Sequence, residues 1–355
     1  MKKAVYINGI AAISPQHTFE TAEFLPTPVN YDDNYLLVVD ADYKKYINPV
    51  QIRRMSRILK ISYTCAKNCM QDAGITSLDA IITGTGYGCI DDTEKFLLSM
   101  LHQNEQMLNP TAFMQSTHNS VSGIIALNMK SNAYNYTYVH RGLSFESSMI
   151  DAMIHIQEGK KNILIGGFEE NSKNHFEVTN KISFWKKNHI PSLALLEDKN
   201  IGTIAGEGAN FFVLSADKTA NTYASILDVS MLYKPKSYDE VAAAIQDLLD
   251  KNNISTADID VYISGLNGDS TMDSIYYDLA DKCLPSAALL YFKHLCGEYY
   301  TVASFGLWVA SMILKRQEIP AILQVRKQEK KQIKYILLHN HYRNINHGFY
   351  LLKHE

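Results

Sequence analysis

The chain has 355 residues, 46% of them hydrophobic, and a formal charge of −3 at pH 7. That length fits one large or two fused domains with a substantial core, and the charge argues against general binding of nucleic acid or other polyanions. No apolar run approaches the roughly 20 residues needed to span a bilayer.

Residues 4–13 are broken by Asn8-Gly9 and followed by Ser14-Pro15, which suits a first strand better than a secretion signal. Residues 19–48, with Pro26, Pro28 and several tyrosines, read as a long surface excursion or a dimer contact. Residues 51–73 place Ile52, Met55, Ile58, Leu59, Cys65, Ala66, Cys69 and Met70 mostly at three- and four-residue steps, predicting an amphipathic helix that ends at Gly74. A strand over 80–83 runs into Gly84-Thr85-Gly86-Tyr87-Gly88. Helices are predicted over 91–101 and 116–130, with Asn109-Pro110 opening a segment between them. Residues 136–140 are aromatic and β-branched, as a buried strand should be. Gly142 supplies a turn, Ser144 caps a helix carrying Met149, Ile150, Met153, Ile154 and Ile156, and 162–165 is a strand ending at Gly166-Gly167. Residues 171–199 look irregular, and 210–214 a strand. From Thr222 the pattern restarts, with strands over 223–229, 260–264, 335–339 and 348–352 and helices over 238–249, 272–283 and 300–314. This alternation predicts buried sheets covered by helices, and the restart predicts two similar halves.

The strand–turn–helix around Gly142 is the most informative stretch. Many enzymes expose a nucleophile at such a turn, where the helix N-terminus stabilises negative charge. Here the turn carries Arg141 and Gly142 and no cysteine. Ser144 is one residue from a Gly-x-Ser-x-Gly pattern but reads better as a helix cap. Cys296, beside His294 and Glu298, reads as a buried structural thiol rather than a nucleophile. Cys89 raises the same question. The five cysteines (these two with Cys65, Cys69 and Cys283) suggest reduced thiols of a cytoplasmic protein rather than disulfides, and no zinc site at Cys65 and Cys69. The 84–88 glycine run lacks the spacing of a dinucleotide loop, so tight packing under a neighbouring subunit is expected instead. His118 and Asn119 suit either a tunnel or dimer seam or local hydrogen bonding. His339 and His341 share a strand face, whereas His347 and His354 lie beyond a turn at opposite parity, so no metal site is expected there. The basic segment 326–334 suits a solvated turn or a contact for an acidic carrier protein.

Several motifs together resemble the β-ketoacyl-acyl-carrier-protein synthases of the thiolase fold, over nearly the full chain. Val5-Tyr6-Ile7-Asn8-Gly9-Ile10 with Ile13-Ser14-Pro15 is similar to the family's opening strand. Asn162 to Glu169 is similar to its strand ending in Gly-Gly-x-Glu, and Ile204-Ala205-Gly206-Glu207-Gly208-Ala209 to its Gly-Glu-Gly-Ala turn. Phe113-Met114-Gln115-Ser116-Thr117-His118-Asn119-Ser120 and Tyr138-Val139-His140-Arg141-Gly142 resemble a subgroup found beside aryl polyene and flexirubin-like pigment clusters, often called ketosynthase-like or chain-length-factor proteins.

The resemblance implies two fused, pseudo-symmetric βαβαβαββ halves, at 1–217 and 218–355, in a five-layer αβαβα α/β arrangement. It also implies a catalytic cysteine and two histidines, which hold the acyl chain, decarboxylate the malonyl unit and stabilise its enolate. Counting back from Gly166-Gly167 puts Arg141 at the cysteine position, with Gly142 as the other choice. Asn267 of Asn267-Gly268-Asp269-Ser270-Thr271 stands at the first histidine, and Glu298 of Lys293-His294-Leu295-Cys296-Gly297-Glu298 at the second; Lys293 matches the family's lysine. The gating loop also departs, Asn340 being followed by His341-Tyr342-Arg343-Asn344-Ile345. Arg141, Lys293 and Glu298 are expected either to form a buried charge network or to leave Arg141 pointing across a subunit contact. The expected role is a non-catalytic, chain-length-factor-like subunit. It would pair with an active ketosynthase, or with itself, and serve an acyl carrier protein without cofactor or metal. The alternatives are a synthase or acyltransferase using Ser144 or Cys296, and a non-enzymatic scaffold homodimer.

Overall fold

A computed structural model of the chain describes residues 3–182, 184–328 and 332–355. Its strands are β1 Val5–Ile13, β2 Ala80–Gly84, β3 Tyr134–Tyr138, β4 Ile163–Glu169, β5 Gly208–Ser215, β6 Ala224–Tyr233, β7 Val261–Ser264, β8 Ala288–Tyr291, β9 Gln324–Arg326, β10 Tyr335–Tyr342 and β11 Asn346–Lys353. Its helices are α1 Pro49–Ile52, α2 Arg57–Asp72, α3 Ile90–His102, α4 Pro110–Gln115, α5 Ser120–Met129, α6 Ser144–Gln157, α7 Lys173–Lys181, α8 Tyr238–Lys251, α9 Ser274–Lys282, α10 Lys293–Cys296 and α11 Ala303–Arg316.

The strands are ordered β3-β2-β4-β5-β1-β6-β11-β10-β7-β8-β9. Read outward from the centre, β1-β5-β4-β2-β3 and β6-β11-β10-β7-β8 follow the same plan. Each run has two antiparallel pairings followed by two parallel ones. Among the described residues, strands of the two runs pair where Val5, Tyr6 and Ile7 meet Ile226, Ser225 and Ala224.

Three apolar cores separate the layers. The middle core joins α6 and α11 to one face of each run of strands. Every residue of α11 from Ala303 to Leu314 is buried, as expected of a helix with sheet on both sides. A second core lies between α2 and the outer face of the first run, where Ile58, Leu59, Cys65 and Cys69 meet Ala11, Ile13, Phe211 and Val213. The third sits under α8 and α9, from Val241 and Ile245 to Tyr276 and Leu279. The result is the αβαβα layering expected from the sequence.

Local chemistry moves several boundaries. The helix predicted over 51–73 is two. Asn48 caps α1 by accepting from the backbone N–H groups of Val50 and Gln51, and Ser56 is extended (ψ 171°) before α2 begins. The helix predicted over 116–130 starts at Ser120. Ser116 bonds back to the Phe113 carbonyl and Thr117 pairs with the Ser120 hydroxyl, local bonds that compete with helix. Residues 171–199 are not wholly irregular: Ser172 accepts from the His175 amide and starts α7. Arg326 heads the basic segment 326–334 but turns inward, donating to the carbonyls of Ala280, Leu284 and Ala287; residues 329–331 of that segment lie outside the described residues. Among the described residues, no helix is long and apolar enough to cross a membrane.

The histidines also regroup. His341 and His347 are direct cross-strand partners in the β10–β11 hairpin, so they share a face with His339, contrary to the parity argument. All three are buried. His339 Nε2 lies 3.1 Å from His347 Nδ1, and the Tyr262 hydroxyl 2.8 Å from His339 Nδ1. Tyr276 stacks on His341 with 4.6 Å between ring centroids. Among the described residues, no group of three or more His, Cys, Asp or Glu side chains is arranged to hold a metal ion. Burial drives His339 and His341 well below the usual 6.5, and takes His347 down to about 4. Unfolded imidazoles take up protons near 6.5 and these do not. Their contribution to stability is therefore full above about pH 6.5 and lost as the pH falls toward 4. Glu146, Glu169 and Glu170, pushed up to about 8 by burial, act in the opposite sense between pH 4.5 and 8. The readout is therefore a difference. The stability gap between the native chain and His347→Asn, from urea unfolding, should shrink by about 3 kcal/mol from pH 7 to pH 4. A gap that stays constant would refute the neutral-imidazole assignment.

Candidate functional site

Three of the residues singled out in the sequence meet in the core. Glu298 Oε2 accepts from Lys293 Nζ at 2.6 Å and from Asn267 Nδ2 at 2.8 Å. The Lys293 and Glu298 side chains are 0% and 2% exposed. They come from two loops. Lys293 opens α10 directly after β8, and Glu298 follows it past Gly297. Asn267 lies in the loop after β7, where the Asp273 carboxylate accepts from the backbone N–H groups of Asn267 and Gly268. Burial raises the Asp273 carboxyl to about 6 against those two bonds. The Gly-Glu-Gly-Ala turn locks the assembly: Gly206 N donates to the Glu298 carbonyl and Glu298 N to the Ile204 carbonyl. A Cβ on Gly206 would collide with the Cys296 carbonyl, so only glycine fits. Glu207, from the same turn, is held by both guanidinium nitrogens of Arg57 and by Val38 N.

Arg141 does not join this network. It is exposed, has φ +50° at the turn between β3 and α6, and forms no ion pair among the described residues. Gly142 lacks the positive φ and is pressed against Tyr342 Cβ. Between Arg141 and Glu298 stands a wall of aromatic rings. Tyr300 lies 4.7 Å from Tyr87 and 4.5 Å from Tyr342, centroid to centroid. On the Glu298 side, these rings with Phe184, Trp185 and His175 leave a void of about 20 Å³, room for about one water and no acyl chain. On the Arg141 side lies an open cleft of about 530 Å³, sharing only Tyr300 and Tyr342 with that void.

The glycine run 84–88 packs within its own chain. Gly86 has no room for a Cβ against the Tyr300 ring. Its polar groups serve an internal carboxyl group: the Thr85 hydroxyl and the amides of Gly86 and Tyr87 all donate to Glu169. Ser144 is buried and occupied. Its hydroxyl accepts from His140 N at 2.8 Å and faces the Thr85 carbonyl at 2.9 Å and the Arg141 carbonyl at 2.8 Å. It therefore ties the turn to the end of β2 rather than capping the helix, since it makes no bond to α6's first amides. Cys296 is buried, and desolvation pushes its thiol well up. Its neighbour His294 turns away to stack on Tyr291 at 3.8 Å and is driven down to about 3 by burial. Cys89 is buried with its thiol raised for the same reason. His118 and Asn119 are exposed at the start of α5, with Asn119 accepting from Ser122 and Gly123 through its carbonyl. The aromatic wall went unforeseen. Its one signal was the Tyr299-Tyr300 pair and Tyr342, in the loop segments that depart from the expected motifs.

The sheet plan, the three cores and the loop-built site at the strand ends together define a thiolase-like α/β fold. A family model, beta-ketoacyl synthase, N-terminal domain, matches residues 36–224, more than half of the chain, and the chain belongs to this family. No curated protein matches it by sequence. Among solved structures, the ishigamide ketosynthase/chain length factor is similar at TM-score 0.81 and 17% identity, covering 100% of both chains. A beta-ketoacyl synthase from Burkholderia phymatum STM815 is similar at TM-score 0.79 and 15% identity, covering 99% of this chain and 100% of its own. A type II polyketide synthase ketosynthase, solved with its acyl-carrier protein and bound to the hexaketide, is similar at 0.76 and 14%, covering 99% and 100%.

Lys293 and Glu298 are each other's only charged partners at hydrogen-bond distance among the described residues. Removing one therefore strands a buried charge, which costs roughly 3–5 kcal/mol. Lys293→Met should lose about that much in urea unfolding, and Lys293→Met with Glu298→Met should recover more than half. A single-variant loss below about 1 kcal/mol would show that the pair is not a structural clamp.

Proposed function

We propose that this chain is a non-catalytic, chain-length-factor-like subunit that supports a partner β-ketoacyl-acyl-carrier-protein synthase. The setting would be polyene elongation of the aryl polyene or flexirubin type, in the cytoplasm. The reading rests above all on the pairing of Glu298 with Lys293 and Asn267 behind the aromatic wall, at the loops where a synthase would need two histidines. Arg141, with its positive φ at the strand–helix turn, takes the place of the nucleophile, a position where enzymes store backbone strain. The chain divides at 217/218, in the connection between β5 and β6.

A partner needs a surface. β3 is the terminal strand of its run, so one side of its backbone is unpaired. Tyr136 and Val139 are exposed at or just beyond it, and Leu127, Phe113, Met114 and Ile154 on the helices alongside. An exposed edge with apolar side chains around it favours a second chain of the same fold, pairing edge to edge. The proposed occupant is a ketosynthase homologue bearing cysteine and two histidines.

A second reading has one specific observation in its favour. The filled void beside Glu298 suits a scaffold homodimer with no lipid pocket as well as it suits a supporting subunit.

Co-expression with a ketosynthase homologue that bears the cysteine and two histidines separates the two. The supporting-subunit reading expects a stable 1:1 complex that elongates malonyl units on a carrier protein, and no elongation by this chain alone. Tyr136→Lys should weaken the complex at least tenfold without lowering the melting temperature. Elongation by the isolated chain would sink the proposal, and a homodimer that ignores the ketosynthase would favour the scaffold.

A further inference from the structure

The open cleft beside Arg141 has a composition that the supporting-subunit role does not require. Four cationic or titratable-basic side chains line it, His140, Arg141, Lys234 and Arg343, and no Asp or Glu does. That is against the trend of a chain with net charge −3. All four residues are exposed, and none enters an ion pair among the described residues. Arg343 stacks over Phe184 at 5.1 Å and Lys234 over Tyr233 at 5.3 Å, contacts that orient a cation without neutralising it.

The backbone adds an independent observation. Twelve described non-glycine residues have positive φ, and four of these are cationic: Lys130, Arg141, Lys234 and Arg343. Three of those four line this one cleft, at φ +50°, +50° and +55°. The left-handed conformation is costly for an L side chain, and glycine would relieve it. Lys130 has an ordinary explanation, since it closes α5 as a left-handed C-cap. So has Arg343, which with Asn344 at φ +52° makes the turn of the β10–β11 hairpin, closed by Ile345 N donating to the Tyr342 carbonyl. Arg141 and Lys234 keep the left-handed conformation at two further, separate turns, each carrying an unpaired cation into the same hollow, which fits a site that binds charge.

We infer that this cleft is an anion-binding site for a phosphate monoester whose organic group rests against Tyr300 and Tyr342. Three cations match a dianion better than a carboxylate, and the planar guanidinium of an arginine binds phosphate oxygens two at a time. The cleft volume of about 530 Å³ is in the range of small-molecule sites. The inference goes beyond the supporting-subunit reading, because the cleft is complete on this chain alone.

Calorimetric titration of the isolated chain with phenyl phosphate at low salt tests it, with benzoate as the carboxylate comparison. Phenyl phosphate should bind at least tenfold more tightly than benzoate, and binding should weaken as salt is raised. The triple variant Arg141→Gly, Lys234→Gly, Arg343→Gly should lose at least tenfold in affinity while its melting temperature holds or rises, since glycine relieves the strain. Unchanged affinity in that variant, or preference for benzoate, would overturn the inference. So would a marked fall in melting temperature, which would make the cations structural. The ester is a free one, because a carrier protein's prosthetic arm is joined through a phosphate diester that carries a single negative charge. Displacement of phenyl phosphate by neither holo nor apo carrier is therefore expected, and displacement by holo but not apo carrier would mean a diester and overturn the monoester assignment. Equal displacement by both would mean protein docking, and would overturn the phosphate assignment. A chain that binds phenyl phosphate but no ketosynthase would refute the supporting-subunit reading and leave this inference standing.

Discussion

A carboxylate buried in protein must be paired or it destabilises the fold, and Glu298 is placed where that requirement organises a whole end of the molecule. Its two donors come from loops after different strands, Lys293 after β8 and Asn267 after β7. Its own backbone is stitched to the Gly-Glu-Gly-Ala turn before β5, in the other half of the strand order. One residue thus fixes three loops and couples the two runs of strands, which among the described residues otherwise pair through three residues each of β1 and β6. The middle core supplies far more apolar burial, but it is non-directional. The ion pair specifies which loops meet.

The fold was legible where periodicity was strong and ends were marked. The α2, α8 and α11 regions announce themselves by apolar spacing, and β4, β5 and β10 by short apolar runs. β8 was overlooked, because Ala288-Leu289-Leu290-Tyr291 is only four residues and carries no alternation. α7 escaped for the opposite reason: none of its residues is buried, so no apolar stripe marks it. Ile52 and Met55 continue the apolar stripe of α2 across residues 53–56, which hides the break. Ser56 marks it, being the N-cap of α2, a position where serine is favoured and the backbone is extended.

The site was legible in part. Asn267, Lys293 and Glu298 were named from motif spacing, and the fold brings them within hydrogen-bond distance of a single carboxylate oxygen. Spacing could not say that Arg141 faces solvent, because that depends on the sign of one φ angle and on rings from three distant segments. The histidines show the same limit. Parity along one strand is readable, but the register of the hairpin, which sets His347 opposite His341, is a property of the turn. Ser144 is structural, but besides the local His140 amide and Arg141 carbonyl it meets the Thr85 carbonyl just past β2, which local reasoning does not reach.

The aromatic wall and the cationic cleft are two sides of one arrangement. Tyr300 and Tyr342 contribute to both, with the paired Glu298 behind them and the unpaired Arg141 and Arg343 in front. A charge behind the wall is desolvated, so it is worth keeping only with a partner at 2.6 Å. A charge in front keeps its water and its freedom to meet something else. Bringing Arg141 inward to Glu298 would require opening the ring cluster and desolvating a second cation. The charged residues at this end of the molecule therefore divide into a paired set that closes the interior, Lys293 and Glu298, and an unpaired set that faces solvent, Arg141 and Arg343.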